Sequence, residues 1–215
     1  MSLRETIGVI QGYKRMRFTD LVSQTTGWRV TEIDPKHDSF LIREIARAMN
    51  QFMSESNTFI QRYRGNRVND IGMRLKDEIW NRLARSFYRI EAHEVNDYSI
   101  DIHRLRQPGY PDFRIWCNDP TEGKYGAYLT LKLTSQLEGG SDNSQRYLYY
   151  TTGSKINMSA RHLVLDLLVS EESPKYWQVC KWVLKDLYEV RMNVKLEFSA
   201  TKQDLIDLPE LASGQ

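Results

Sequence analysis

The spacing of apolar residues changes character near Asn96, and that change limits the fold more than any other feature of the chain. Before it, apolar residues recur every three or four positions; after it, they alternate with polar ones. Phe40, Ile42, Ile45, Met49, Phe52 and Met53 form the stripe of an amphipathic helix over about 38–63, which Asp38 and Ser39 are placed to cap. Gly65 and Asn66 break that pattern. A second helix is predicted over about 69–90, with Ile71, Leu75, Ile79 and Leu83 in an i, i+4 row. Tyr98, Ile100, Ile102 and Leu105 then alternate as in a strand, Pro108, Gly109 and Pro111 mark a turn, and Phe113, Ile115 and Cys117 alternate again. Gly123 and Gly126 lead into a strand over 128–133, runs 163–169 and 176–184 read as buried strands, and 193–198 as one more. The last residues, 211–215, are expected to fray. Helices followed by strands predict an α/β (α+β-like) chain in which a mixed β-sheet is flanked by helices and the N-terminal third is helical. One domain accounts for 1–215, with a helical N-terminal segment over 1–66, a core over 67–200 and a tail over 201–215.

A chain of 215 residues buries roughly 70% of its unfolded surface and needs no disulfide or metal staple. Its two cysteines, Cys117 and Cys180, are too few for a disulfide framework or a CxxC metal site. No run approaches the ~20 apolar residues of a membrane span, and the N-terminus lacks a secretory core, so a cytoplasmic protein is expected. His37, His93, His103 and His162 show no zinc-ligand spacing, and neither GxxxxGK[ST] nor GxGxxG occurs, so no nucleotide cofactor is expected. The net charge of +2 conceals an uneven distribution: residues 60–91 carry +4 and residues 163–215 carry −3. A local basic region is sufficient for a polyanionic partner.

Lys132 is out of place by composition. It lies between Leu131 and Leu133 in a strand, where an ammonium loses solvation unless a carboxylate or a ligand meets it. Asp112, just after the 108–111 turn and on the neighbouring strand, is its predicted partner. An Asp, a second acid and a Lys converging on a sheet edge form a metal-dependent phosphodiesterase site. The carboxylates would hold Mg²⁺, which prefers oxygen ligands, and the Lys would orient or activate the attacking water and offset developing charge.

The pair Pro111-Asp112 with Thr130-Leu131-Lys132 resembles the signature of the PD-(D/E)xK nuclease superfamily, and within it the type II restriction endonucleases. The resemblance spans about residues 60–200. It implies a restriction-endonuclease-like core and Mg²⁺-dependent hydrolysis of double-stranded DNA at a short palindrome, with Mn²⁺ as a substitute metal and a homodimer matching the two-fold site. It makes Asp112 and the main-chain carbonyl of Leu131 metal ligands and Lys132 catalytic. One departure stands out: the family's acidic position is Thr130. Members of the superfamily move this acid to the upstream helix, which here offers Asp70, Asp77 and Glu78. At about 100° per residue Glu78 returns to the Ile71 stripe and is expected to face the sheet as the missing acid, with Asp77 second.

DNA contacts are expected from the basic turn Arg62, Tyr63, Arg64, Asn66 and Arg67, since such a turn suits phosphates and Arg can also read guanine. The polar stretch Ser141, Asp142, Asn143, Ser144, Gln145 and Arg146 supplies donors and acceptors for base edges, and Lys155 and Arg161 add phosphate contacts. Met49 is read either as core or as a wedge between base pairs. The chain is also faintly similar to small blunt-cutting endonucleases for CGCG that intercalate a methionine. Three other functions remain open: a repair or structure-specific nuclease of the same fold, a DNA-binding module whose nuclease site has decayed, and a structural protein with no DNA role.

Overall fold

The computed structural model describes residues 15–59, 68–92, 99–105, 109–120, 123–135, 146–150, 155–194, 198–201 and 208–214. At its centre run two long parallel strands, β5 (Gly123–Ser135) and β7 (Ala160–Ser173), in register from Ala127↔Arg161 to Ser135↔Val169. A parallel pair in mid-sheet is buried on both faces, and the sequence complies: Leu129, Leu131, Leu163, Leu165 and Leu167 fill one side while Tyr128 and Val164 fill the other. Antiparallel strands extend the sheet both ways. β4 (Phe113–Asp119) and β3 (Ser99–Arg104) follow β5 on one side; β8 (Tyr176–Asp186) and β11 (Glu210–Gly214) follow β7 on the other. A short β2 (Val30–Thr31) pairs parallel with the start of β7. The sheet is therefore mixed, as expected.

The helices α2 (Ser39–Phe59) and α3 (Val68–Ala92) lie on one face. Their apolar rows, Leu41, Ile45, Met49 and Phe52 on α2 and Ile71, Leu75, Ile79 and Leu83 on α3, are almost fully buried against β4, β5, β7 and β8. Truncating any one of these residues to Ala costs about 2–5 kcal/mol. On the opposite face, α1 (Phe18–Thr26) and a second sheet pack through Phe18, Leu21, Val22, Met16 and Met192. That four-stranded sheet runs β1 (Arg15–Arg17), β9 (Arg191–Val194), β10 (Phe198–Thr201) and β6 (Arg146–Tyr150). Among the described residues, no helix is long and apolar enough to cross a membrane.

Three expectations need correction, and a fourth is sharpened. The N-terminal third holds β1 and β2 as well as helices. The segment read as one strand over 193–198 contributes to two strands, β9 and β10. The expected frayed end is β11: Gly214 pairs with Trp182, and a Cβ there would stand 2.6 Å from the Trp182 ring nitrogen, so glycine permits this contact. Asp38 caps α2 through its main chain, its carbonyl accepting from the Ile42 N–H at 3.1 Å, and not through its side chain. Its carboxylate is fully buried, accepts from the Asp34 N–H at 2.9 Å and lies 3.0 Å from Arg161 Nε of β7. A buried carboxylate must be paired, and here its partner is Arg161.

Candidate active site

The turn before β4 is held from three directions. Gly109 takes φ +84°, a left-handed conformation that a side chain would strain. Tyr110 is buried; its hydroxyl lies 2.7 Å from Nδ1 of His162, and its ring meets Phe18 edge-on at 5.5 Å. Burial pushes His162 down to about 3, so the imidazole is neutral at the Tyr110 hydroxyl. Lys155 donates to the carbonyls of Gly109 at 2.8 Å and Pro111 at 2.6 Å. The backbone of Asp112 then joins the sheet, donating to Leu129 and accepting from Leu105.

This scaffold aims the Asp112 carboxylate with little freedom. Oδ2 accepts from the Thr130 hydroxyl at 2.7 Å and from the Leu131 N–H at 2.8 Å. Oδ1 accepts from the Lys76 ammonium at 2.8 Å. Burial alone would raise this carboxyl, but the Lys76 charge and the bonds from Lys76, Thr130 and Leu131 outweigh it and hold the group below the usual carboxylate range.

Lys132 stands two residues beyond Thr130 on the same face of β5 and beside Asp166 of β7 in register. Burial pushes its ammonium down to about 8, with Lys76 acting in the same direction and Asp112 and Asp166 opposing. The predicted direct pairing of Lys132 with Asp112 is corrected in one respect. Asp112 acts on Lys132 through space, and the lysine bonded to Asp112 comes from α3. Asp166, which sequence reading passed over, accepts from Thr134 at 2.9 Å. An acid interrupting the apolar run 163–169 was the available signal.

Lys76 and Asp112 form part of the wall of a cleft of about 1070 Å³. Met73 and Trp80 of α3, residues 101–105 and Phe113 complete much of the lining. Trp80 stacks on Phe113 at 5.8 Å and fixes α3 against the β4 end of the sheet.

The other predicted site residues fall in several places. Glu78 is not brought to Asp112 by a hydrogen bond: its Oε1 accepts from Arg82 Nε at 2.9 Å, and Arg82 also binds Glu55 of α2. Asp77 pairs with Arg104. Asp70 lies on α3, but its side chain is outside the described residues. So are Arg62, Arg64, Asn66 and Arg67, and Ser141, Asp142, Asn143, Ser144 and Gln145. Arg146 opens β6, with its side chain likewise outside. Lys155, expected on a phosphate, directs its ammonium at two main-chain carbonyls. Met49 has no exposed surface and lies in the core, so the wedge reading is corrected: a side chain enclosed by α2, α3 and the sheet has no route to a base step.

Among the described residues no group of three or more His, Cys, Asp or Glu side chains could hold a metal. The donor chemistry still fits Mg²⁺ at Asp112. The carboxylate supplies hard oxygen, and a cation, the Lys76 ammonium, already lies on Oδ1. Mg²⁺ is commonly held by one or two carboxylates, completing its shell with water and substrate phosphate.

The MjaV family of type II restriction enzymes has a sequence model that matches residues 11–207 of this chain. No curated protein matches it. Among solved structures, the restriction endonuclease BglI bound to its DNA recognition sequence shares 12% identity over 70% of this chain and 67% of its own, with a TM-score of 0.33. Two chains related at that level share too little geometry for residue-by-residue equivalence.

Proposed function

The chain belongs to the MjaV family of type II restriction enzymes, and from that membership we propose that it hydrolyses double-stranded DNA at a short palindrome with Mg²⁺, using Asp112 and Lys132. The observation that carries this assignment is the fixed Asp112 carboxylate at the wall of a cleft, with Lys132 desolvated nearby on the adjoining strand. Asp112 Oδ1 and the Leu131 carbonyl would hold the metal, which Mn²⁺ could replace. When bound, Mg²⁺ acidifies a water and neutralises charge on the phosphoryl oxygens.

The residues of the chain supply the rest. Thr130 and the Leu131 N–H orient the carboxylate, while Lys155 and Tyr110 fix the turn that carries it. Hydrolysis forms a bond from water oxygen to phosphorus, breaks the bond to one sugar oxygen, and moves a proton from the water to that leaving oxygen. An ammonium titrating at about 8 is mainly charged at pH 7, and Lys132 so charged offsets the negative charge that develops on phosphorus. Its minor neutral fraction can accept the water's proton.

The second acid comes from outside the contacts just described. Glu78 remains a candidate only if Arg82 releases it, and Asp70 is the other acid of α3 that sequence reading named. Met49, the residue read as an intercalating wedge, is buried in the core, and the family match carries no CGCG specificity, so the proposal stops at a short palindrome. A homodimer would present two such sites to the two strands.

One observation favours a second reading. Thr130, where the superfamily has an acid, is spent as a hydrogen-bond donor to Asp112, as expected in a DNA-binding module that no longer cuts. Incubation of plasmid and phage DNA with the protein and Mg²⁺ separates the two. Discrete fragments, lost in Asp112→Ala and Lys132→Ala, establish the nuclease. Salt-dependent binding without cleavage establishes the module. Cleavage confined to forks or nicks would point to a repair nuclease.

A further inference from the structure

Lys76 touches Asp112 directly, yet neither the motif nor the chemistry of hydrolysis requires it. Its ammonium is the sole hydrogen-bond donor to Asp112 Oδ1 among the described residues, while Oδ2 is used by Thr130 and Leu131. Oδ1 is thus the oxygen left for a metal, and a side chain of this protein already lies on it. Lys76 is one-third exposed, on the wall of the cleft, and its long flexible stem can swing into the cleft without unpacking the core. The surroundings favour that movement when an anion arrives. Lys132 and Lys155 both feel the Lys76 ammonium as a repulsion, and all three share Asp112 as an attraction. With Asp166 counted beside Lys132, three ammoniums face two carboxylates. While Lys76 rests on Oδ1, such a cluster disfavours a dication and attracts a phosphodiester.

We propose that Lys76 is a gate on the metal site: it rests on Asp112 Oδ1 while the cleft is empty of DNA and transfers to a backbone phosphate when DNA enters, freeing Oδ1 for the divalent cation. The inference rests on the reading of Asp112 as a metal ligand. It makes Lys76 a positioning residue whose charge couples the two ligands. Because Lys76 opposes metal without DNA and contacts DNA once displaced, metal and DNA raise each other's affinity by the same factor.

The gate is tested on the full chain with Mn²⁺ as the metal probe, its binding followed by electron paramagnetic resonance without DNA. Lys76→Gln removes the charge and shortens the side chain by one atom; it should bind Mn²⁺ roughly two- to fivefold more tightly than the unaltered protein, the scale of one partly exposed ion pair. Lys76→Arg keeps the charge and should bind as the unaltered protein does, which also shows that substitution at this position is tolerated. Against a random-sequence duplex without metal, Lys76→Gln should flatten the dependence of log affinity on log salt by about one phosphate contact. Unchanged Mn²⁺ affinity in Lys76→Gln overturns the gate, as does an unchanged salt slope. A gain that persists in the double variant Lys76→Gln/Asp112→Asn also overturns it, because the metal then binds elsewhere. Failure of the underlying reading has its own signature: Mg²⁺-dependent DNA cleavage that survives Asp112→Asn.

Discussion

The hydroxyl of Thr130 donates to the carboxylate of Asp112 across 2.7 Å. At the place where the PD-(D/E)xK pattern has an acid, this chain carries a hydroxyl donor aimed at the Asp112 carboxylate. The contact stabilises Asp112 as an anion without any metal, which an acid at 130 would not do.

Thr130→Glu should therefore make stability depend on metal. Two carboxylates at this separation repel and lose a hydrogen bond, costing about 1–3 kcal/mol in a chelator. Mn²⁺ or Mg²⁺ should recover most of that loss by bridging them. Thermal melts with and without metal check this, and an equal fall in Tm under both conditions would count against a cation site here.

Asp112→Asn and Lys132→Ala should each lower the cleavage rate by roughly 10²-fold or more, the usual scale for removing one group that meets developing charge. Affinity for DNA should change only a few-fold. Quantitative cleavage and binding titrations on the same duplex separate the two effects.

Lys155→Met should behave differently from the loss of a phosphate contact. Two of its three donors hold the Gly109 and Pro111 carbonyls, so its removal loosens the turn that presents Asp112. The expected result is a fall in turnover of about tenfold, since small misplacements of reacting groups are costly. The salt slope of DNA binding should stay the same. A slope reduced by about one would instead place Lys155 on the DNA.

His162 gives the fold an acid-sensitive point. Burial lowers its value from 6.5 to about 3, so below pH 6.5 the unfolded chain takes up a proton that the folded chain refuses. Unfolding then binds protons, and stability falls as pH drops through that window. The contribution is roughly 2 kcal/mol between pH 7 and pH 5. His162→Gln, which can still hydrogen-bond to Tyr110, should remove that part of the slope in urea titrations at the two pH values.

Helices α2 and α3 and the strands β3, β4, β5, β7 and β8 were legible because their burial patterns repeat over many residues: the α2 and α3 rows and the alternation of β4 leave little choice of period, whereas the short β1, β2 and β6 carry no such repeat. The end of the chain was not, since the pairing of Gly214 with Trp182 is set by a partner some thirty residues away. The core of the site was legible for a local reason. Asp112 and Lys132 are each anomalous where they stand, one behind a turn and one inside an apolar strand. Lys76 and Glu78 were not resolved, and helix geometry explains why. They flank the buried row of α3 on opposite sides, and the wheel shows only that both are near the core. Which flank faces α2 and which faces the β4 turn depends on how α3 is docked. Trp80 stacking on Phe113 and Arg82 binding Glu55 put Lys76 on the Asp112 side and Glu78 on the α2 side.

β5 carries Thr130 and Lys132, together with residues that fill the core, on the same thirteen positions. Leu129 and Leu131 are interior; Thr130 and Lys132 take the alternate slots. Site spacing on this strand can therefore change only in steps of two residues, roughly 7 Å. A shift of one residue exchanges inside for outside, sending two leucines into the site and a lysine into the helix-packed core. No mutational path adjusts the reach of Lys132 by a single position while keeping a folded protein. Fine adjustment of this site must come from the turn that carries Asp112 and from the docking of α3.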